Sequence, residues 1–176
     1  MKTTDFVKMS LETSKNFVMA LIADMKDAPL TFPTAKGGNH PLWILGHLTL
    51  AEASILHGFV LGEENPLAGW KELFDGGTES VADASRYPAF DELVAKFEKV
   101  RARTLSVLGG LSDEDLDRKI ETEHADLCPG TEDIAARRLR FGTVGKCFMM
   151  LSLHPAIHFG QVADARRSLG RKPLFA

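Results

Sequence analysis

The chain has 176 residues, 44% of them hydrophobic and 26% charged, with a formal net charge of -3. These values exclude a disordered or fibrous chain and predict one globular domain over residues 1–176, with a core that needs no disulfides. Weak acidity argues against nucleic acid as a partner, and no run of 18 uninterrupted apolar residues argues for a membrane span. Cys128 and Cys147 form no C-x-x-C pair, and the opening MKTTDFVKMSLETSKNF lacks the apolar run of a signal peptide. A cytoplasmic protein with reduced thiols is therefore expected.

Phe6, Thr13, Phe17, Leu21 and Met25 recur at helical steps and predict a first helix over residues 4–27, closed by Pro29, Pro33, Gly37 and Gly38. A second helix is expected from Asn39 as N-cap, with Pro41 in its first turn, through Leu42, Ile44, Leu45, Leu48, Ala51 and Ile55 to Gly62. Residues 62–87 read as a long connection with one short turn at Trp70 to Phe74. A third helix starts near Pro88 with the stripe Phe90, Leu93, Phe97, Val100, Thr104 and Val107, and stops at Gly109 and Gly110. Ser112 and Asp115 have the spacing of a capping box for a brief helix. Residues 118–142 resist assignment; they hold a Pro129-Gly130 turn and the basic run Arg137, Arg138 and Arg140. A fourth helix runs from Thr143 to Leu169 and ends at Gly170. With no sustained strand alternation, the expected fold is all-α, a four-helix bundle with long connections between helices 2–3 and 3–4.

Six histidines are present, and two of them, His154 and His158, are four apart. On a helix that spacing puts both imidazoles on one side, one turn apart, where they can reach a single metal ion. Gln161 and Met150 fall close to the same line, so polar groups occupy a stripe that a bundle would fill with apolar side chains. An accidental H-x-x-x-H is common, and two hydrogen-bonded core histidines would account for the pair equally well. Burial on an apolar face favours a metal, because unpaired buried imidazoles are costly. A third ligand must come from another helix. His47, inside PLWILGHLTL, is the candidate, and Gly46 beside it would admit close approach of another backbone. His57 lies about 80° further round the same helix and belongs on a rim. His40 is placed to serve the helix cap, and His124 falls in the unassigned segment. Pro155, between the paired histidines, is expected to bend the fourth helix rather than begin it.

GNHPLWILGHL, followed about a hundred residues later by LHPAIHFGQV and DARRSLG, resembles the DinB-like (DNA-damage-inducible) superfamily over nearly the whole chain. The resemblance implies a four-helix bundle with a divalent metal held by His47, His154 and His158. It also implies kinship with transferases and isomerases that use low-molecular-weight thiols, alongside members of no assigned activity, and a homodimer.

Three neutral imidazoles leave a divalent ion with open positions, which suits catalysis better than a closed structural site. Zn or Ni is the expected ion, with Fe or Mn as alternatives, and three imidazoles also accept Cu. The expected function is metal-dependent chemistry on a small molecule, of thiol-dependent transferase or hydrolase type. The alternative is a non-catalytic metal-binding bundle acting through dimerisation or ligand sensing. Gln161 is a candidate second-shell donor or a packing residue. Glu52 and Asp164 lie about 140° and 120° from the nearest candidate ligand on their helices, so neither serves as a base. Ser10, Thr13, Ser14 and Asn16 line a pocket or lie in solvent. Arg137, Arg138 and Arg140 read as a solvated loop in preference to a carboxylate clamp. A ferritin-like di-metal bundle is excluded, since its Glu-x-x-His pairs reduce here to Glu121 with His124.

Overall fold

A computed structural model describes residues 1–31, 38–120 and 134–175. Their order is α1 (Thr3–Asp24), α2 (Pro41–Ala53) continuing as a π-helix (Ser54–Leu61), α3 (Lys71–Phe74), α4 (Phe90–Gly109), α5 (Asp113–Asp117), α6 (Ile134–Phe141) and α7 (Val144–Ser168). Short 3-10 turns at Ala68–Trp70 and Ala84–Arg86 lie in the connections. Among the described residues the only extended pairing is an isolated bridge between Lys119 and Thr143. Pro33, Gly37, Glu121, His124, Cys128, Pro129 and Gly130 lie outside the described residues.

Local signals account for most boundaries. His40 caps α2, accepting at Nδ1 from the Trp43 amide while its Nε2–H donates to the Val81 carbonyl, so the cap is His40 rather than Asn39. Gly62 closes the π-helix with a left-handed φ of 67°, a conformation that glycine adopts without a Cβ penalty. Ser112 and Asp115 form the expected capping box. The unassigned 118–142 segment contains α6, on which Arg137 is buried while Arg138 and Arg140 are exposed. The solvated-loop reading therefore fails for Arg137, because Ile134–Phe141 is a helix and turns that residue inward. α7 runs unbroken through Pro155, which is buried.

α1 packs on α7, α7 on α2, α2 on α4 and α4 on α1. Phe17 meets Phe159, and Asp24 meets Arg166, so α1 and α7 run parallel. Lys15 pairs with Glu98 and Lys26 with Asp91, so α4 runs antiparallel to α1. The first helix buries only part of the stripe expected of it, Leu21 and Met25 but not Phe6, Thr13 or Phe17. Leu11, Val18, Leu21, Ile22 and Met25 face the core, whereas Phe6 and Phe17 are exposed. Its amphipathic pattern has two apolar stripes, and periodicity alone does not say which one the other helices cover.

The apolar core forms two clusters. Between them, Arg101 makes a bidentate pair with Glu52 (2.8 and 2.7 Å), Thr104 donates to the same carboxylate at 2.7 Å, and Arg101 also reaches the Leu11 carbonyl at 2.5 Å. Glu52 and Arg101 are almost wholly buried. The segment Pro41–Leu61 is long and apolar enough to cross a membrane by length and composition, yet most of it is buried inside the fold. It serves as a core helix, packed against α3, α4 and α7.

Candidate metal centre

α2 and α7 bring His47, His154 and His158 together, with one ring nitrogen from each within 4.8 Å of the other two. His154 Nε2 lies 3.1 Å from His47 Nε2 and 3.1 Å from His158 Nε2. The outer nitrogens of two rings are already committed. His47 Nδ1–H donates to the Phe74 carbonyl at 2.8 Å, and His158 Nδ1–H donates to Gln161 Oε1 at 2.7 Å. A neutral imidazole has one N–H, so both Nε2 atoms turn lone pairs inward. His154 Nε2 has at most one N–H to donate, which leaves at least one inward lone pair without a hydrogen. A cation at the centre would satisfy all three. Nitrogens held at 2.0–2.1 Å from one ion lie roughly 2.9 Å apart in octahedral and about 3.4 Å apart in tetrahedral arrangements. The two observed separations fall between those limits, so the donor set fits a divalent ion.

Neighbouring residues fix the rings. Trp43 stacks on His47 at 4.7 Å between centroids with 10° between planes, and its indole N–H donates to Thr78 Oγ1. The carbonyl that orients His47 belongs to the last residue of α3, inside the connection expected to hold one short turn. Gly46 makes that approach possible, because a Cβ there would fall 2.1–2.4 Å from the Phe74 ring. The close neighbour is thus an aromatic ring, where a backbone was expected. The sequence reading missed Phe74, since a backbone acceptor leaves no trace in residue type; the glycine beside His47 was the available signal.

Other residues fall away from the centre. Gln161, expected as a donor, instead accepts at Oε1 from His158 Nδ1–H. Glu52 is held by Arg101, and His57 pairs with Glu63 at 2.9 Å. His40 serves the α2 cap. Asp164 lies 3.5 Å from Arg167, and Thr13 and Asn16 border a shallow groove on α1.

Burial pushes all three histidines toward the neutral form that binds metal. It takes His47 down to about 4 against the pull of the Phe74 carbonyl, and His154 to about 3 with added repulsion from His47 and His158. His158 is also lowered by burial, partly offset by Gln161. Since the native values lie below the unfolded 6.5, the unfolded chain binds more protons between those limits. Stability of chelator-treated protein should therefore be insensitive to these groups above about pH 6.5 and fall as the pH drops toward about 4. Denaturant midpoints near pH 8 and pH 5 test this, with an expected loss on the order of 2 kcal/mol for each of His47 and His154. A His154→Phe variant losing as much as wild type would refute it.

The family model of the DinB superfamily matches residues 10–162. The chain belongs to the DinB superfamily. This DinB chain is similar over 97% of its length to the glutamine–fructose-6-phosphate aminotransferase [isomerizing] of Methanothermobacter thermautotrophicus, at 28% identity. It spans 28% of that enzyme's length, and the likeness assigns it no activity. Among solved structures it is similar to a conserved protein from Enterococcus faecalis, with a TM-score of 0.71 and 16% identity, covering 97% of this chain and 99% of the other. At that identity the DinB chain and its structural neighbour share a fold.

Proposed function

We propose that this DinB-superfamily protein is a four-helix bundle that holds one divalent transition metal on His47, His154 and His158. The metal would act on a small molecule in thiol-dependent transfer or hydrolysis. The observation that carries this reading is the convergence of three Nε2 atoms, two of them with their ring protons directed outward to Phe74 and Gln161. Three imidazoles leave a bound ion open positions, and such an ion supplies Lewis acidity that lowers the pKa of water or holds a thiolate ready. Phe74 and Gln161 set the tautomer and angle of their rings, and the Trp43 indole face excludes solvent from one side of His47. Zn or Ni fits the donor set best, with Fe or Mn the further options.

Metal content by mass spectrometry tests the site. Wild type loaded with Zn or Ni should carry close to one ion per chain, and His47→Ala, His154→Ala and His158→Ala should each carry almost none. Wild type that takes up no ion would overturn the reading. For the chemistry, a cobalt- or nickel-loaded sample should gain a sulfur-to-metal charge-transfer band when a low-molecular-weight thiol is added. A spectrum that the thiol leaves unchanged would sink the thiol-dependent reading and favour a non-catalytic metal-binding bundle.

A further inference from the structure

We infer that the cleft where the α3–α4 connection crosses the start of α2 binds a small uncharged polyol. The cleft has a volume of about 380 Å³, within the range of small-molecule sites, and Thr31, Asn39, Thr78, Glu79 and Ser80 line it. Thr31 carries the argument. It is only 8% exposed, yet its hydroxyl makes no hydrogen bond among the described residues. A hydroxyl buried without a partner is costly and rare, so its partner must enter through the cleft. Asn39 adds a half-buried side-chain amide that is likewise without a hydrogen bond among the described residues, and Glu79 adds a carboxylate on the rim.

Charge and hydrogen-bonding capacity select the ligand. The groups suited to an anion are already spent. Pro41 has no N–H, the Leu42 amide donates to the Leu30 carbonyl at 3.3 Å, and the Trp43 amide donates to His40 Nδ1. His40 Nε2–H is held by the Val81 carbonyl, and burial keeps that ring neutral. No lysine or arginine is among the described residues lining the cleft. A cation would find one exposed, screened carboxylate, opposed by the positive end of the α2 dipole. The groups still available both donate and accept: the Thr31 hydroxyl, the Asn39 amide, the Glu79 carboxylate and the lone pairs of Ser80, whose proton goes to the Gly38 carbonyl. Adjacent hydroxyls on a neutral molecule match that set, since each donates one proton and accepts at two lone pairs. Two of them can serve the two oxygens of Glu79, leaving a third for Thr31 and Asn39. This inference is independent of the metal reading.

Titration of the full chain with glycerol and with glucose, followed by nuclear magnetic resonance, tests it. The Trp43 indole N–H donates to Thr78 Oγ1 in the cleft wall, so its resonance should shift and saturate, with the Trp70 indole as internal reference. Thr31→Val and Asn39→Ala should each weaken binding about three- to tenfold. Thr31→Val should also raise the thermal midpoint of the unliganded protein by about 2–4 °C, because it removes the unpartnered hydroxyl. A threonine with a purely structural role would lower that midpoint or leave it unchanged. Should Thr31→Val fail to fold, Asn39→Ala makes the binding test alone. A linear drift shared by both indoles, the mark of general exclusion of polyols from the surface, overturns the inference. So does equal saturation in wild type and both variants, or tighter binding of butylamine or inorganic phosphate than of either polyol.

Discussion

Gly46→Ala should destabilise the protein by about 2 kcal/mol or more and weaken metal binding about 10- to 100-fold. An alanine in mid-helix ordinarily stabilises by roughly 0.5–1 kcal/mol, so the sign alone is diagnostic. The methyl carbon would overlap the Phe74 ring at 2.1–2.4 Å. That ring is fully buried, with Trp70 and Tyr87 tilted against it at 5.3 and 5.6 Å, and it has nowhere to retreat. α3 must shift instead, drawing the Phe74 carbonyl off His47 Nδ1 and freeing that imidazole to rotate. Truncating the ring with Phe74→Leu should recover part of the loss, giving a coupling of about 0.5–3 kcal/mol between the two positions. Urea denaturation of the two single variants and the double variant, with a metal titration of each, checks both parts. A Gly46→Ala protein as stable as wild type would show that the approach of Phe74 is not needed.

The second large effect is expected in the polar layer between the two apolar clusters. Arg101→Met or Glu52→Leu alone strands the other charge in the interior and should cost about 3–5 kcal/mol, whereas making both changes together should recover most of that loss. The attraction within a buried pair is offset by the desolvation of both ions, so the pair adds little net stability, but either ion alone is costly. Thr104 moderates Glu52→Leu very little, since its hydroxyl also bonds the Val100 carbonyl at 3.1 Å. Guanidinium unfolding of the four proteins gives the cycle directly. Single variants within about 1 kcal/mol of wild type would mean that water reaches this layer. Restored stability in the double variant would leave the layer one role, to fix how α2 slides along α4.

Helical spacing made much of the fold legible. Proline at the start of α2, glycines at positions 62 and 170, and the Ser112–Asp115 pair mark ends that follow from backbone chemistry, and the structure places them there. The His154–His158 pair was visible because four residues make one turn, and His47 because an imidazole in an apolar run needs a partner. Contacts made by backbone or by distant charges were not visible. Nothing in the residue types says that Phe74 offers its carbonyl to His47, or that Glu52 meets Arg101 49 residues away. α6 was missed because eight residues with three arginines show no long apolar stripe. Phe6 and Phe17 were assigned to the buried stripe because periodicity alone does not say which of two apolar stripes the neighbouring helices cover.

His47 and His154 are separated by 107 residues of chain. During synthesis, a ribosome that has released α2 has exposed only the first imidazole of the trio, and the other two follow only when α7 emerges. One imidazole holds a divalent ion weakly, so a chain at that stage would have no means of capturing a metal. On the proposed reading, packing of α7 against α2 would come first and loading second. The ion would then be chosen after folding, by the supply that the finished protein meets.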